Sequence, residues 1–228
     1  MDLKSVYSPN FNERIAGSKI EWIIVHYTDT PSIAASLSIL TNLEAQVSSH
    51  YLVDETGEIY QLVDEEKRAW HAGPDGASYW RGRKSLNSHS IGIEIQNPGH
   101  SHGYREFSKP QIEAVLNLCK DIQLRHKLGQ DCLWGHSDIS PQRKQDPGHL
   151  FPWKDFAKEG LGIWPEIDLG DLSGENEKEI LQKIGYNPDF PNESIIAFQR
   201  HFRPNNFDGI LDEETRYLME VVVRQCEG

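Results

Sequence analysis

Apolar and polar positions alternate along the first 165 residues in a way that predicts β-strands separated by helices. The run IEWIIVHY at 20–27 predicts a buried strand, because most of its side chains are apolar. In SIGIEIQ, at 90–96, three isoleucines alternate with Gly92, Glu94 and Gln96, which predicts a strand with one apolar and one polar face. Shorter strands are predicted at 50–53, 59–63 and 131–135. Helices are predicted at 32–46, after Ser108 and from the start of the segment 151–153.

The chain changes character after Trp164 and Pro165. Residues 166–174 are acidic and contain glycine, which predicts a linker between a first domain at 1–165 and a second at 175–228. The second domain contains three helical patterns, at 177–184, 193–202 and 212–225. Because about 50 residues bury little surface by themselves, we expect this helical domain to lean on the larger one.

Composition and net charge exclude some classes of binding partner. The 228 residues include 35 acidic side chains against 23 Lys and Arg, a formal net charge of −12, so we expect no nucleic-acid partner. No run of 18 apolar residues is present, and the N-terminus lacks the pattern of a signal peptide. The chain as written is therefore expected to be cytoplasmic, with the periplasm or cell envelope as the alternative if an export signal precedes it.

Nine of the ten histidines fall within the first 150 residues, and two of them suggest a metal site. His26 ends the first long strand, His136 follows the strand at 131–135, and Asp146 comes ten residues later. Two imidazoles and one carboxylate are a ligand set of catalytic zinc, which keeps a fourth position open. On residue types alone, each histidine could equally be structural. Glu94 strengthens the metal hypothesis, because a solvated surface Glu is unusual between two strand isoleucines.

Five motifs in order carry a resemblance to a known family. They are VHYT around His26, RAWHAG at 68–73, SIGIEIQN around Glu94, GHSDISPQRKQDPG at 135–148 and FPW at 151–153. Together they resemble the zinc-dependent N-acetylmuramoyl-L-alanine amidases that share the peptidoglycan-recognition-protein fold, over roughly residues 18 to 165. The helical domain, with LQKIGY and IIAFQRHFRP, resembles a three-helix peptidoglycan-binding module.

This resemblance implies an α/β fold with a central mixed β-sheet flanked by helices. The helices would pack mainly on one face and a zinc groove would lie on the other, with a small C-terminal three-helix domain added. Carried over by motif, His26, His136 and Asp146 would hold one zinc ion. Glu94 matches the general base and Lys144 the residue that stabilises the oxyanion. Because Ser49 stands where a related branch has a catalytic tyrosine, a tyrosine mechanism is not expected.

The implied reaction is hydrolysis of the amide bond between N-acetylmuramic acid, or its anhydro form, and L-alanine. The partner would be peptidoglycan or a soluble muropeptide, and the protein is expected to be a monomer. The loop AWHAGPDGASYWRGR supplies the expected substrate contacts, namely His71, Trp70 and Arg81. Trp70 and Trp80 could equally belong to the core, because large aromatic side chains are usually buried.

Two other functions are compatible with this pattern. A non-catalytic peptidoglycan recognition protein would share the fold, but the presence of all three ligands, Glu94 and Lys144 argues against it. A zinc peptidase that cuts within the stem peptide would share the metal chemistry, although the chain has no HExxH helix. Which stem peptides are accepted, and whether polymer or soluble fragments are preferred, is left open by the sequence.

Overall fold

The computed structural model describes residues 3–165 and 174–227. Among these residues, six strands form a mixed sheet in the order β1-β5-β4-β9-β3-β10, and two strand pairs, β2-β6 and β7-β8, lie outside it. The strands are β1 Leu3–Ser5, β2 Phe11–Glu13, β3 Trp22–Tyr27, β4 Tyr51–Val53, β5 Ile59–Gln61, β6 Lys67–Ala69, β7 Tyr79–Trp80, β8 Arg83–Lys84, β9 Ser90–Ile95 and β10 Leu133–Gly135. The expected central mixed sheet is confirmed.

Eight α-helices accompany the strands in the described part of the chain. They are α1 Ile33–Leu40, α2 Gly99–His102, α3 Lys109–His126, α4 His136–Ile139, α5 Trp153–Lys158, α6 Glu177–Ile184, α7 Pro191–Phe202 and α8 Glu213–Glu227. The helix predicted at 32–46 is shorter, because α1 ends at Leu40 and only a 3-10 turn follows at Leu43–Ala45. The predicted helix after Ser108 is α3, and the Ser108 hydroxyl accepts the backbone N–H of Gln111.

Parallel pairing brings together the carboxyl ends of the strands that carry, or are followed by, the predicted site residues. β3 lies between β9 and β10 and is parallel to both, and its register places His26 beside Glu94. β9 also pairs in parallel with β4, whereas β4 and β5 are antiparallel. Since the carboxyl ends of parallel strands lie at one edge, residues that end β3 or follow β10 meet there.

One face of the sheet packs against α3 and α5. Alternate residues of β3 and β9, such as Ile23 and Ile93, are fully buried there against Leu118 of α3 and Phe156 of α5. The isoleucines predicted to share the apolar face of β9 all lie in this cluster. This layer fixes the sheet whose other face holds Glu94 and His26.

The other face is also covered by helices, which differs from the expectation that helices pack mainly on one face. Trp22 and Ile24 of β3 point to this side, and they are too apolar to face water. They share a buried cluster with Trp134 of β10 and with side chains from α6, α7 and α8, including Leu181, Phe198 and Val222. The C-terminal helices therefore complete the core beside the site.

The predicted domain boundary falls at 166–174, of which only residue 174 lies within the described residues. The three C-terminal helices occur as predicted: α6 has the predicted bounds, and the bounds of α7 and α8 differ by at most two residues. None of the helices described is both long and apolar enough to span a lipid bilayer.

Candidate active site

Three buried side chains converge at the carboxyl edge of β3 and β10. His26 is the second-last residue of β3, and His136 begins α4 directly after β10. Asp146 lies in the following loop, held there by a hydrogen bond from the Ser137 backbone N–H to the Asp146 carbonyl of 2.9 Å. The short helix α4, which begins at His136, was not predicted from the sequence.

The donor atoms of these three residues lie close together. His26 Nδ1 is 2.9 Å from His136 Nδ1, and each nitrogen is 3.0 Å from Asp146 Oδ2. The exposed fractions of the three residues are 1%, 4% and 6%. The predicted ligands are thus brought together, in a cluster whose residue types could hold a metal ion.

Electrostatics gives these three side chains the protonation states that metal ligands need. Burial lowers the pKa of His136 to about 3 and also lowers the pKa of His26, although Asp146 opposes both shifts. Burial alone would raise the pKa of Asp146, but the two adjacent imidazoles hold it well below its usual range. At neutral pH the cluster therefore contains neutral imidazoles and a carboxylate, the forms that coordinate metals.

Glu94 lies next to His26 across the β3-β9 pair. Its Oε2 atom is buried and has no hydrogen-bond partner among the described residues. Burial, and then the charge of Asp146, raise the pKa of Glu94 well above its usual range, while Lys144 acts in the opposite direction. A carboxyl group with a raised pKa in a cleft is suited to accepting and returning a proton.

A groove of about 310 Å³ opens over the cluster. Its lining includes Glu94, Lys144, Trp70 and Arg143, together with residues of the α1 region such as Ile39. Trp70 is half-buried, and its indole N–H donates to Asn12 Oδ1 at 3.1 Å. The structure thus places Trp70 and Lys144 at the groove, where the sequence predicted them.

Arg143 is a groove residue that sequence reasoning missed. Its guanidinium lies 3.3 Å from His136 Nε2 and donates to the carbonyl of Ala72 at 3.2 Å. It thereby joins the HAG motif to the loop that carries Asp146. Its position directly before Lys144 is the signal that could have identified it.

His71 touches the groove, but its ring is occupied on both sides. His71 Nδ1 lies 3.0 Å from His26 Nε2, and His71 Nε2 lies 3.2 Å from Ser90 Oγ. Burial lowers the pKa of His71 well below its usual range, so the ring is neutral at pH 7. The predicted substrate contact therefore has neither ring nitrogen directed to a ligand, and the ring lies behind His26 instead.

The structure does not bring Arg81 to the groove. Its guanidinium pairs with Asp131, donates to the carbonyl of Ile184 at 3.2 Å and reaches Cys226 Sγ at 3.2 Å. Arg81 thus connects the first part of the chain to α6 and α8, which corrects the expected substrate contact. Trp80 is fully buried between Trp134 and Tyr186, in agreement with the core alternative.

Asp138, on α4, links the cluster of His26, His136 and Asp146 to the C-terminal helices. Its Oδ2 accepts the Gly135 backbone N–H at 2.8 Å and lies 2.8 Å from His201 Nδ1 on α7. Its Oδ1 accepts the hydroxyl of Tyr186 at 2.7 Å. These contacts join residues 48 and 63 positions apart and were not predicted from the sequence.

Comparison with known proteins agrees with this geometry. The Amidase_2 family, described as N-acetylmuramoyl-L-alanine amidase, matches residues 16–149, which is more than half of the chain and includes all three clustered residues. The chain belongs to this amidase family. It is therefore an N-acetylmuramoyl-L-alanine amidase, as the motifs predicted, and the alternative of a non-catalytic recognition protein is not supported.

Individual relatives extend the match to the C-terminal helices. The amidase is 38% identical to N-acetylmuramoyl-L-alanine amidase AmiD of Escherichia coli K12, over 91% of this chain and 83% of AmiD. It is 29% identical to 1,6-anhydro-N-acetylmuramyl-L-alanine amidase AmpD of Haemophilus influenzae, over 68% of this chain and 90% of AmpD. The match to AmpD therefore covers a smaller part of this chain than the match to AmiD does.

Solved structures show the same architecture. The structure of E. coli AmiD with anhydro-N-acetylmuramic acid-L-Ala-D-γ-Glu-L-Lys superimposes with a TM-score of 0.79 at 34% identity, covering 95% of this chain and 98% of that one. AmpDH3 of Pseudomonas aeruginosa has a TM-score of 0.80 at 30% identity, with coverage of 96% and 98%. The helices at the C-terminus are therefore part of an arrangement found in other members of the family.

Proposed function

We propose that this amidase is zinc-dependent and that it cleaves the amide bond between N-acetylmuramic acid, including its anhydro form, and L-alanine. The observation that carries the proposal is the convergence of His26, His136 and Asp146, with Glu94 paired to His26 across the sheet and lining the same groove as His136 and Asp146. A neutral imidazole pair with one carboxylate matches the donor set of catalytic zinc sites. When bound there, zinc would supply Lewis-acid activation of the scissile carbonyl and of water.

Glu94 is the proposed general base. Glu94 lines the groove, its buried Oε2 has no hydrogen-bond partner among the described residues, and burial raises its pKa well above the usual range. The carboxylate would take a proton from the attacking water and return it to the leaving amine of L-alanine. Such proton transfer typically contributes about 10² to 10⁴ to the rate.

Lys144 is the proposed partner of the developing oxyanion. It lines the same groove, and its positive charge already opposes the raised pKa of Glu94 and lowers the pKa of both histidines. A fixed positive charge beside the scissile carbonyl stabilises the tetrahedral oxyanion more than the planar amide. Lys144 would therefore act in the transition state.

Soluble anhydro-muropeptides are proposed as substrates, and they are the first class of compound to test. Two similar structures contain such compounds: the E. coli AmiD complex named above, and AmpDH3 of P. aeruginosa with anhydromuramic pentapeptide. The groove of this chain is about 310 Å³ and has the half-buried indole of Trp70 on its wall, which suits the apolar face of a sugar. Intact peptidoglycan is the second substrate class.

The C-terminal helices are proposed to form a peptidoglycan-binding module as well as part of the core. The resemblance of their motifs to such a module supports the proposal, and a binding surface joined to a catalytic groove would raise the local concentration of polymer. Residues 1–165 would then form the catalytic part and 175–228 the binding part.

Metal removal tests the zinc proposal. Dialysis against a chelator should abolish release of the stem peptide from an anhydro-muropeptide, and one equivalent of Zn²⁺ should restore it. Mass spectrometry of the products should show a free lactyl carboxylate on the sugar, which excludes cleavage within the stem peptide. Full activity of protein shown to contain no metal would contradict the proposal.

A further inference from the structure

A chain of hydrogen bonds runs behind His26, away from the groove. It leads from His26 Nε2 to His71 Nδ1 at 3.0 Å, from His71 Nε2 to Ser90 Oγ at 3.2 Å, and from Ser90 Oγ to the carbonyl of Leu86 at 2.6 Å. His26, His71 and Ser90 are all at least nine-tenths buried. Solvent therefore does not compete for these contacts.

The last hydrogen bond of this series, from Ser90 to Leu86, determines which atom donates in each of the others. A backbone carbonyl only accepts, so the Ser90 hydroxyl donates its single proton to Leu86, as the short distance of 2.6 Å indicates. Ser90 Oγ must then accept from His71 Nε2, which leaves His71 Nδ1 as an acceptor. That acceptor requires a proton on His26 Nε2, and a neutral His26 is then unprotonated at Nδ1, the atom that faces His136 and Asp146.

The backbone is shaped to hold His71 in this place. A Cβ atom on Gly92 would lie 2.3 Å from His71 Cγ, so only glycine lets the ring lie against β9. Asn87 Oδ1 accepts the backbone N–H groups of His71 and Ala72 at 3.0 and 2.7 Å. The side chain and the main chain of the HAG motif are thus both fixed.

We propose that His71 is a positioning residue which, together with Ser90, fixes the tautomer and orientation of His26 so that Nδ1 is presented as a metal ligand. The inference rests on the zinc site of the proposed function and gives His71 a role different from substrate contact. Acceptors behind a ligating histidine typically change metal affinity about 10- to 100-fold when they are removed.

The test compares two substitutions of similar size. His71→Asn keeps an acceptor, since the Asn Oδ1 can take the place of Nδ1, whereas His71→Leu has a carbon there. Zinc affinity is measured by competition with a chromophoric chelator. We expect His71→Leu to bind zinc about 10- to 100-fold more weakly than the wild type and His71→Asn to stay within a few-fold of it.

His50→Asn is the matched control. The His50 ring lies 5.7 Å from that of His71 and is fully buried, but its Nδ1 accepts the Gly92 backbone N–H and its Nε2 lies 3.1 Å from the Lys67 carbonyl. The variant therefore replaces a neighbouring buried histidine that takes no part in the hydrogen bonds from His26 through His71 to Ser90. Its zinc affinity should equal that of the wild type.

A measurement on the unaltered protein decides the question if His71→Leu does not fold. Two-bond ¹H–¹⁵N correlation spectra of the zinc-loaded wild type should show His26 and His71 both protonated at Nε2 only. Protonation of His71 at Nδ1 would overturn the inference, as would equal zinc affinity of wild type and His71→Leu with a raised KM, the result expected of a substrate contact. A wild-type chain that binds no zinc would overturn the proposed zinc site along with it.

Discussion

At the scale of single residues, the site depends on polar groups that the sheet holds out of water. His26 and Glu94 lie on β3 and β9, two inner strands of the sheet, and His71 packs against Gly92 of β9. Desolvation lowers the pKa of the imidazoles and raises that of the carboxyl of Glu94. Position in the sheet thus sets the protonation state of each group before any ligand binds.

Glu94→Gln tests the proposed base. Gln is close in size to Glu and cannot accept the proton, while His26, His136 and Asp146 remain unchanged, so we expect zinc content to be normal and kcat to fall at least about a hundredfold. Metal analysis and steady-state kinetics on a soluble muropeptide check both parts. Normal turnover with normal zinc content would assign the base to another residue.

His50 predicts a pH dependence of stability in the metal-free protein. Burial, followed by the charge of Arg14, lowers its pKa to about 3, while Glu65 and the Lys67 carbonyl act in the opposite direction. The unfolded chain binds a proton on this residue below about pH 6.5 and the folded chain does not, so the stabilisation present above that pH is lost as the pH falls. His50 should contribute about 1.4 kcal/mol of this loss per pH unit.

Urea unfolding at pH 7 and pH 5, with chelator present, measures this dependence. The other buried histidines contribute in the same direction, so His50→Asn is compared with the wild type to isolate one residue. When the pH falls from 7 to 5, the free energy of unfolding should decrease less in His50→Asn than in the wild type. An identical loss in both proteins would show that His50 is not held neutral in the folded state.

At the scale of elements, the short helix α4 joins the cluster of His26, His136 and Asp146 to the C-terminal helices. Its first residue is His136, and Asp138 two residues later is bonded to Tyr186 after α6 and to His201 on α7. His201 stacks on Trp153 at 3.7 Å between ring centroids. The direction in which α4 leaves the sheet is therefore fixed by elements distant in sequence.

Tyr186→Phe tests this connection. The substitution removes the only proton that Asp138 Oδ1 receives in the described contacts and leaves a buried acceptor without a partner. We expect a loss of roughly 1–3 kcal/mol in unfolding free energy. Tyr7→Phe is the control, because Tyr7 is 71% exposed and should change stability little. Equal stability of the two variants would contradict the proposed importance of the Tyr186 contact.

At the scale of the whole molecule, the C-terminal helices and the sheet share one core. Trp80 and Trp134 are fully buried, and their cluster contains residues of α6, α7 and α8. The Arg81 guanidinium adds polar contacts across the same boundary. The C-terminal helices therefore support the fold of the catalytic part, whether or not they bind peptidoglycan as proposed.

Truncation after Trp164 should therefore destabilise the catalytic part. It would expose Trp22, Ile24, Trp80 and Trp134, and each large apolar side chain returned to water costs about 1.5–3 kcal/mol. We expect the melting temperature to fall on the order of 10 °C or more, with activity lost on soluble and insoluble substrates alike. An unchanged melting temperature, with activity lost on polymer only, would show that the helices form a separable anchor.

The sequence by itself determined the local elements and the chemical identity of the site. Apolar periodicity is a local property, so it located β3, β9, α3 and the C-terminal helices. The ordered motifs identified the amidase family and predicted His26, His136 and Asp146 as metal ligands. The apolar face of β9 followed from strict alternation of its isoleucines. Such patterns record which side chains must avoid water, but not what they pack against.

Only the tertiary structure decided the partners of these residues. Contacts such as His71 with His26, Asp138 with Tyr186, and Arg81 with Ile184 join segments 45, 48 and 103 positions apart. The sequence assigned His71 and Arg81 to the substrate, because their residue types and loop composition suit a sugar peptide. Arg81 contacts α6 and α8 and does not line the groove, and Gly92 leaves room for the ring of His71 behind His26. Long-range contacts of this kind depend on how the layers close around the core, which no local pattern encodes.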